Sequence, residues 1–203
     1  MPKAGGYLNH HERNLMRFLA ISGSPRADGN TDTLLKTALD VIASHGIETE
    51  FISLRDKKIL TCTACGGCSS ENRCVLDDDF DPVYRAMVES EGFIVGSPVY
   101  FGSASGEMVA LLDRAGYVAR KSGDPFARKI GGPVAVARRA GQNFTYAQLL
   151  MWFMINGMVV PGSTYWNVGF GAGKGDVLTD EEGVATVKAF AENIVWLLER
   201  LTD

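Results

Sequence analysis

Long hydrophobic runs are missing from this 203-residue sequence. The longest stretch without a formal charge, 140–173, is interrupted by Gln142, Asn156 and Pro161. It therefore falls short of the roughly 18 consecutive apolar residues that a membrane helix needs. Residues 1–15 also lack the apolar core of a secretory signal. We expect a cytoplasmic protein that does not span a membrane.

Positive charge is also in short supply. Twenty Lys and Arg residues face 24 Asp and Glu residues, which gives a formal net charge of −4 without any long basic run. Proteins that bind a phosphate backbone usually carry a clustered positive surface. We therefore expect no nucleic acid partner.

Linkers, internal repeats and low-complexity tracts are absent as well, and the composition is 46% hydrophobic and 22% charged. We expect a polar, flexible arm at 1–15 and one domain at 16–203. Short apolar runs alternate with segments of helical period, which is typical of a parallel sheet covered on both faces. The pattern predicts a three-layer α/β fold with five strands, at Arg17–Ser22, Glu50–Leu54, Gly92–Gly96, Pro133–Ala137 and Met158–Gly162. It predicts helices around residues 31–42, 77–91, 108–119, 144–156 and 187–201.

The loop after the first strand, residues 22–31, leads directly into an amphipathic helix. The free N–H groups of a helix start, the hydroxyl of Ser24 and the charge of Arg26 together suit an anion. The loop lacks both the Gly-Lys-Ser/Thr ending of a Walker loop and the glycine spacing of a dinucleotide fingerprint. The hydroxyl-rich sequence favours a terminal monoester phosphate, although a simple turn and helix cap would use the same residue types.

Two further loops, 97–106 and 138–143, follow the third and fourth strands and reach the same edge of the sheet. Tyr100 and Phe101 stand together among small residues in the first of these loops. They could flank a planar heterocycle or act as hydrophobic plugs beneath the loop.

All four cysteines fall in one segment, Cys62-x2-Cys65-x2-Cys68-x5-Cys74, within a Cys-rich insertion at 61–76. In a reducing compartment such bunching indicates metal ligation or redox chemistry rather than structural disulfides. The spacing favours an iron-sulfur cluster over tetrahedral zinc, which usually takes two Cys-x2-Cys pairs across a longer loop. A third possibility is redox-active thiols or an incidental disulfide, but this leaves at least two of the four cysteines unexplained.

These motifs together resemble the iron-sulfur flavoproteins, a branch of the NAD(P)H-dependent FMN reductases with a flavodoxin-like fold. The likeness covers residues 18–201 and rests on the loop 23–31, the four cysteines, the segment 97–102 and Gly169-Phe170-Gly171. It implies a doubly wound sheet of order 2-1-3-4-5. It also implies that the FMN phosphate is held by Ser24, Arg26, Asn30 and Thr31, the isoalloxazine by Pro98, Val99, Tyr100, Phe101, Gly102 and Gly141, and a [4Fe-4S] cluster by Cys62, Cys65, Cys68 and Cys74.

The same resemblance implies an FMN-dependent oxidoreductase in a homodimer or homotetramer. NAD(P)H would be a co-substrate, and a small carrier such as ferredoxin or a small-molecule acceptor would be a partner. We expect no side-chain general base, because the cofactor carries the difficult chemistry. Two other functions remain open: an FMN or quinone reductase whose cysteines hold zinc or nothing, and a non-catalytic redox carrier or sensor.

Overall fold

The computed structural model describes residues 16–201. The arm expected at 1–15 lies outside this range, as do residues 202 and 203. Among the described residues, no helix combines the length and the apolar character that crossing a membrane requires.

Within residues 16–201 the chain forms a five-stranded sheet in which every pairing is parallel. The strand order is β2-β1-β3-β4-β5, which confirms the flavodoxin-like order. The central strands β1 and β3 are almost wholly buried because helices cover both of their faces. The strands are β1 (Arg17–Ser22), β2 (Glu48–Ser53), β3 (Gly92–Pro98), β4 (Ile130–Ala137) and β5 (Val168–Phe170).

Helices form a layer on each face of the sheet, as the three-layer prediction requires. They are α1 (Asn30–Ser44), the short α2 (Cys68–Glu71), α3 (Phe80–Glu89), α4 (Gly106–Ala119), α5 (Gln142–Ile155) and α6 (Glu181–Leu201). Helices α1 and α6 build one core around Leu35 and Phe190, whereas α3, α4 and α5 build the other around Phe80 and Phe153. Gly96 lets α1 lie close on β3, since a Cβ there would come within 2.7 Å of Leu35 Cδ1.

The position predicted for the fifth strand is wrong. Residues 158–162 make only an isolated parallel bridge, between Val159 and Ile130. Pro161 has no N–H to continue the ladder, and the chain leaves the sheet there. It returns at Asn167, whose carbonyl accepts a hydrogen bond from Ala135 N at 3.0 Å, and the true β5 follows at Val168–Phe170. The fifth strand is therefore split into two short pieces along β4.

The loops after β1, β3 and β4 meet at the carboxyl edge of the sheet. Gly23 N donates to Gly96 O at 2.8 Å, and Val99 N donates to Val136 O at 2.8 Å. Because the strand order reverses between β1 and β3, a crevice opens at this edge, which is where doubly wound folds bind their ligands.

Candidate functional site

A cavity of about 240 Å³ occupies this crevice. It brings together residues from the loops after β1, β3, β4 and β5, including seven of the ten residues predicted to hold FMN. Those seven are Ser24, Arg26, Asn30, Thr31, Pro98, Val99 and Tyr100. The loops therefore converge as the sequence predicted.

The first loop presents an anion-binding arrangement. Ser24 Oγ accepts the N–H of Arg26 at 3.2 Å, which folds the loop back on itself. Helix α1 begins after Gly29 without a side-chain cap among the described residues, and its first residues, Asn30 and Thr31, line the cavity. The exposed Arg26 side chain has no hydrogen bond or ion pair within 16–201. Its guanidinium is available to an anion at the positive end of the helix.

Asn30 lines the cavity, but its side-chain amide is engaged elsewhere. Its Nδ2 donates to Gly173 O at 2.8 Å, and its Oδ1 accepts the N–H groups of Gly175 at 2.9 Å and Val177 at 3.3 Å. Asn30 thus ties the segment after β5 to the start of α1. That segment supplies Gly171 and Ala172 to the cavity wall. Asn30 therefore shapes the site through the hydrogen bonds of its side chain to the backbone of this segment.

The loop after β3 turns back sharply at Tyr100. Tyr100 and Ser103 exchange two backbone hydrogen bonds, at 2.9 and 3.0 Å, around Phe101 and Gly102. Both central residues have positive φ, 52° and 80°, which is an unusual conformation for an aromatic residue. The Phe101 side chain is fully exposed and does not line the cavity.

Gly141 lies beside this turn, at the start of α5 and with φ of 87°. A Cβ there would come within 3.0 Å of Val99 Cγ1 and 3.3 Å of Gly102 Cα. Glycine therefore allows the loops after β3 and β4 to pack together. Phe101, Gly102 and Gly141 border the cavity region without lining the cavity itself.

The four cysteines share a second cavity, of about 160 Å³, against the distal half of α4. Cys62 and Cys65 are exposed, whereas Cys68 and Cys74 are half-buried. Hydrogen bonds from the Gly67 backbone and the Thr63 side chain lower the pKa of the Cys65 thiol. Within the described part of the chain, no three Cys, His, Asp or Glu side chains converge tightly enough for a single metal ion.

A buried ion pair lies at the base of this cysteine loop. Arg114 of α4 and Asp78 have side chains that are 1% and 0% exposed, and two hydrogen bonds of 2.5 and 2.9 Å join them. Burial alone would raise the pKa of Asp78, but hydrogen bonds from Arg114, Leu60 N and Phe80 N outweigh it and lower that pKa. Burial would likewise lower the pKa of Arg114, yet its bonds to Asp78 and Cys74 raise it.

Sequence reasoning missed Arg114 and Arg138 as site residues. Arg138 follows β4 and adds a second cation to the first cavity. The sequence could have indicated Arg114, because it is a charged residue that lies between Leu111 and Val118 on the apolar face of α4. A lone charge on a buried face indicates a buried partner. The sequence could not identify that partner, which lies 36 residues away.

Comparison with known proteins agrees with this geometry. Residues 16–173 match the NADPH-dependent FMN reductase family. An iron-sulfur flavoprotein of Methanocaldococcus jannaschii is 40% identical over 186 residues, which cover 88% of this chain and 95% of the relative. An iron-sulfur flavoprotein of Methanosarcina thermophila is 33% identical over 190 residues, covering 91% and 96%.

Solved structures support the fold alone. The crystal structure of RosB with bound 8-demethyl-8-formylriboflavin-5'-phosphate has a TM-score of 0.72 at 18% identity, covering 92% of this chain and 80% of that one. The matched family, the strand order and the cavity at the switch point are mutually consistent. The chain belongs to the NADPH-dependent FMN reductase family and is an FMN-dependent oxidoreductase with a flavodoxin-like fold.

Proposed function

We propose that this oxidoreductase is an electron-transfer enzyme that couples FMN to a [4Fe-4S] cluster held by Cys62, Cys65, Cys68 and Cys74. The observation that carries the proposal is the convergence of all four cysteines on one cavity in a chain of flavin-reductase fold. The two relatives described above carry the name iron-sulfur flavoprotein, which supports the same reading.

The first cavity fits FMN by the chemistry of its lining. Arg26 and the N-terminus of α1 would hold the phosphate, with the Ser24 and Thr31 hydroxyls beside it. Pro98, Val99 and Tyr100 would border the isoalloxazine, with Phe101, Gly102 and Gly141 around its rim. When bound, FMN supplies hydride acceptance and one-electron exchange. The protein's own part is to orient the ring and limit its contact with water.

The second cavity fits a multi-atom cluster. The observed space is about 160 Å³, and two cations, Arg114 and Lys121, line it together with the thiols. Positive lining suits a group whose thiolate ligands bring negative charge.

Helix α4 begins next to the loop after β3, which lines the first cavity, and its distal half lines the cysteine cavity. Ser105 caps the helix beside Ser97 at the end of β3, and its N–H donates to Ser97 Oγ at 2.8 Å. Arg114 and Tyr117 line the cysteine cavity, about 14 and 18 Å farther along the helix at a rise of about 1.5 Å per residue. We infer that electrons pass between the cysteine site and a carrier such as ferredoxin, a small-molecule acceptor or the flavin of a second protomer.

Helix α5 offers a surface for a second protomer. Its outward face is uncharged and exposes Phe144, Met151, Met154 and Ile155, each at least 60% accessible. Exposed apolar patches of this kind are common at protein interfaces. This surface supports the homodimer or homotetramer that the resemblance implies, and sedimentation analysis of the purified protein tests it.

One preparation tests the cofactor proposal. Anaerobically purified protein should contain FMN, iron and acid-labile sulfide, with about four iron and four sulfide per chain, and no stoichiometric zinc. Stopped-flow mixing with NADPH should bleach the flavin and then reduce the cluster, whereas a reduced ferredoxin should reduce the cluster before the flavin. Rapid flavin bleaching by a protein that contains no iron would support the reductase without a cluster. Reduction without repeated turnover would support the redox carrier or sensor.

A further inference from the structure

All three guanidinium nitrogens of Arg114 donate hydrogen bonds at the base of the cysteine loop. The Nε atom donates to Cys74 Sγ at 3.3 Å, and Nη2 donates to Cys74 Sγ at 3.2 Å and to Asp78 Oδ1 at 2.9 Å. Nη1 donates to Asp78 Oδ2 at 2.5 Å and to Leu60 O at 3.1 Å. A guanidinium has five N–H donors, so each has an acceptor here.

These bonds close the loop that carries the cysteines. Asp78 Oδ2 also accepts the N–H of Leu60 at 2.7 Å, so Asp78 and Leu60 join the two ends of the loop. The Arg114 guanidinium stacks on the Phe80 ring, 4.2 Å from its centroid. The geometry therefore fixes Arg114 from several directions and aims two of its N–H groups at Cys74 Sγ.

Cys74 is distinguished from the other three cysteines by this contact. Cys62 is exposed, and within residues 16–201 its Sγ accepts only a backbone N–H, that of Ala64, at 3.5 Å. Among the described residues, no other cysteine receives a hydrogen bond from a charged side chain. Among the described residues, hydrogen bonds from a charged side chain are thus found at Cys74, whereas Cys65 receives hydrogen bonds from the Gly67 backbone and the Thr63 side chain.

We propose that Arg114 is a positioning residue that holds Cys74 and raises the reduction potential of the iron-sulfur cluster. The inference rests on the proposed function. Reduction adds one electron to the cluster, so the site gains one negative charge. N–H groups directed at a ligating sulfur and a buried positive charge both stabilise this added charge. The carboxylate of Asp78 acts in the opposite direction, because it neutralises the guanidinium.

Substitutions of Arg114 and Asp78 should shift the cluster potential in opposite directions, which distinguishes this role from a merely structural one. Arg114→Lys keeps the positive charge but replaces five donors in a planar fork with three donors on one nitrogen. It therefore cannot keep the two N–H bonds to Cys74 together with the bonds to Asp78 and Leu60, so the cluster potential should fall. Asp78→Asn keeps Arg114 and removes the compensating charge, so the potential should rise. General damage to the loop would instead shift both variants in the same direction.

The experiment is an anaerobic redox titration of the holoprotein with dithionite and mediators, followed by the EPR signal of the reduced cluster. Arg114→Lys should reduce the equilibrium constant for reduction by about tenfold, which is a fall of 59 mV for a one-electron couple. Arg120→Lys is the matched control, because it makes the same substitution at the end of the same helix. Arg120 directly follows α4, is exposed, does not line the cysteine cavity and has no hydrogen bond to sulfur within 16–201, so the shift should be several times smaller.

Several outcomes decide the matter. An unchanged potential in Arg114→Lys, or shifts of the same sign in Arg114→Lys and Asp78→Asn, would overturn the role of Arg114 while leaving the proposed function intact. Wild-type protein without iron or sulfide would overturn the proposed function and this inference together. Flavin content and circular dichroism check that each variant folds. If Arg114→Lys does not bind a cluster, the potential of Asp78→Asn decides. A potential that falls or does not change in Asp78→Asn refutes the proposal.

Discussion

Replacing Arg26 with alanine tests the phosphate site directly. The side chain is exposed, lines the 240 Å³ cavity and has no bonded partner within the described residues. Its removal therefore leaves no buried group unpaired, and the free energy of unfolding should change by less than about 0.5 kcal/mol. The substitution should instead weaken the binding of FMN.

The expected magnitude follows from the chemistry of the contact. A hydrogen bond between two charged groups contributes about 1.5 to 3 kcal/mol. Since each 1.4 kcal/mol corresponds to a factor of ten, the Kd for FMN should rise by roughly 10- to 150-fold. Arg138 and the N–H groups of α1 remain in place, so binding should weaken without being abolished.

The assay is a titration of the apoprotein with FMN and, in parallel, with riboflavin, followed by quenching of flavin fluorescence. Riboflavin lacks the phosphate, so Arg26→Ala should leave its affinity unchanged. Lys36→Ala is the control, because Lys36 carries the same charge on α1 but pairs with Asp28 at 2.9 Å and does not line the cavity. An equal loss of affinity for both flavins, or no loss for FMN, would refute the assignment of Arg26.

Three further changes probe other parts of the molecule. Cys65→Ser should abolish the broad iron-sulfur absorbance and leave the sharper flavin bands, and a spectrum that keeps both would contradict ligation by Cys65. Asn30→Ala removes three hydrogen bonds to the segment after β5; chemical denaturation should show a loss of about 1–3 kcal/mol, with weaker binding of FMN and riboflavin alike. The pKa of Asp78 lies below its ordinary value of 3.8, so its stabilisation is present above pH 3.8 and is lost as the pH falls through the folded-state value. The stability gap between wild type and Asp78→Asn should therefore narrow on acidification below pH 3.8, whereas a gap that stays constant would show that ionised Asp78 is not stabilised by the fold.

The sequence was most informative where the pattern is local. Strand β1 matched its predicted bounds, and the helices lay where their apolar residues recur at helical spacing. The residue types and spacing of the loop 22–31 and of the four cysteines predicted two sites, and residues of both segments line cavities in the structure. Each of these features depends on residues close together in the chain.

Features that depend on distant partners escaped prediction. The apolar run at 158–160 looks more like a strand than Val168–Phe170, yet the position of β5 depends on Asn167, which is buried and bonds Ser163 and the Pro133 carbonyl. The role of Asn30 depends on backbone groups more than 140 residues away. No periodicity or motif encodes such contacts.

The split of the fifth strand has a consequence for how copies of the chain can meet. An edge strand with many consecutive free backbone groups invites another chain to extend the sheet. Here β5 offers only Val168–Phe170, and the segment leading into it contains Pro161 and detaches from β4. Three residues are too few for a strand of a neighbouring molecule to form a stable hydrogen-bonded ladder with β5. Contact between molecules on this side must therefore use helical surface, and helix α6 contacts β5.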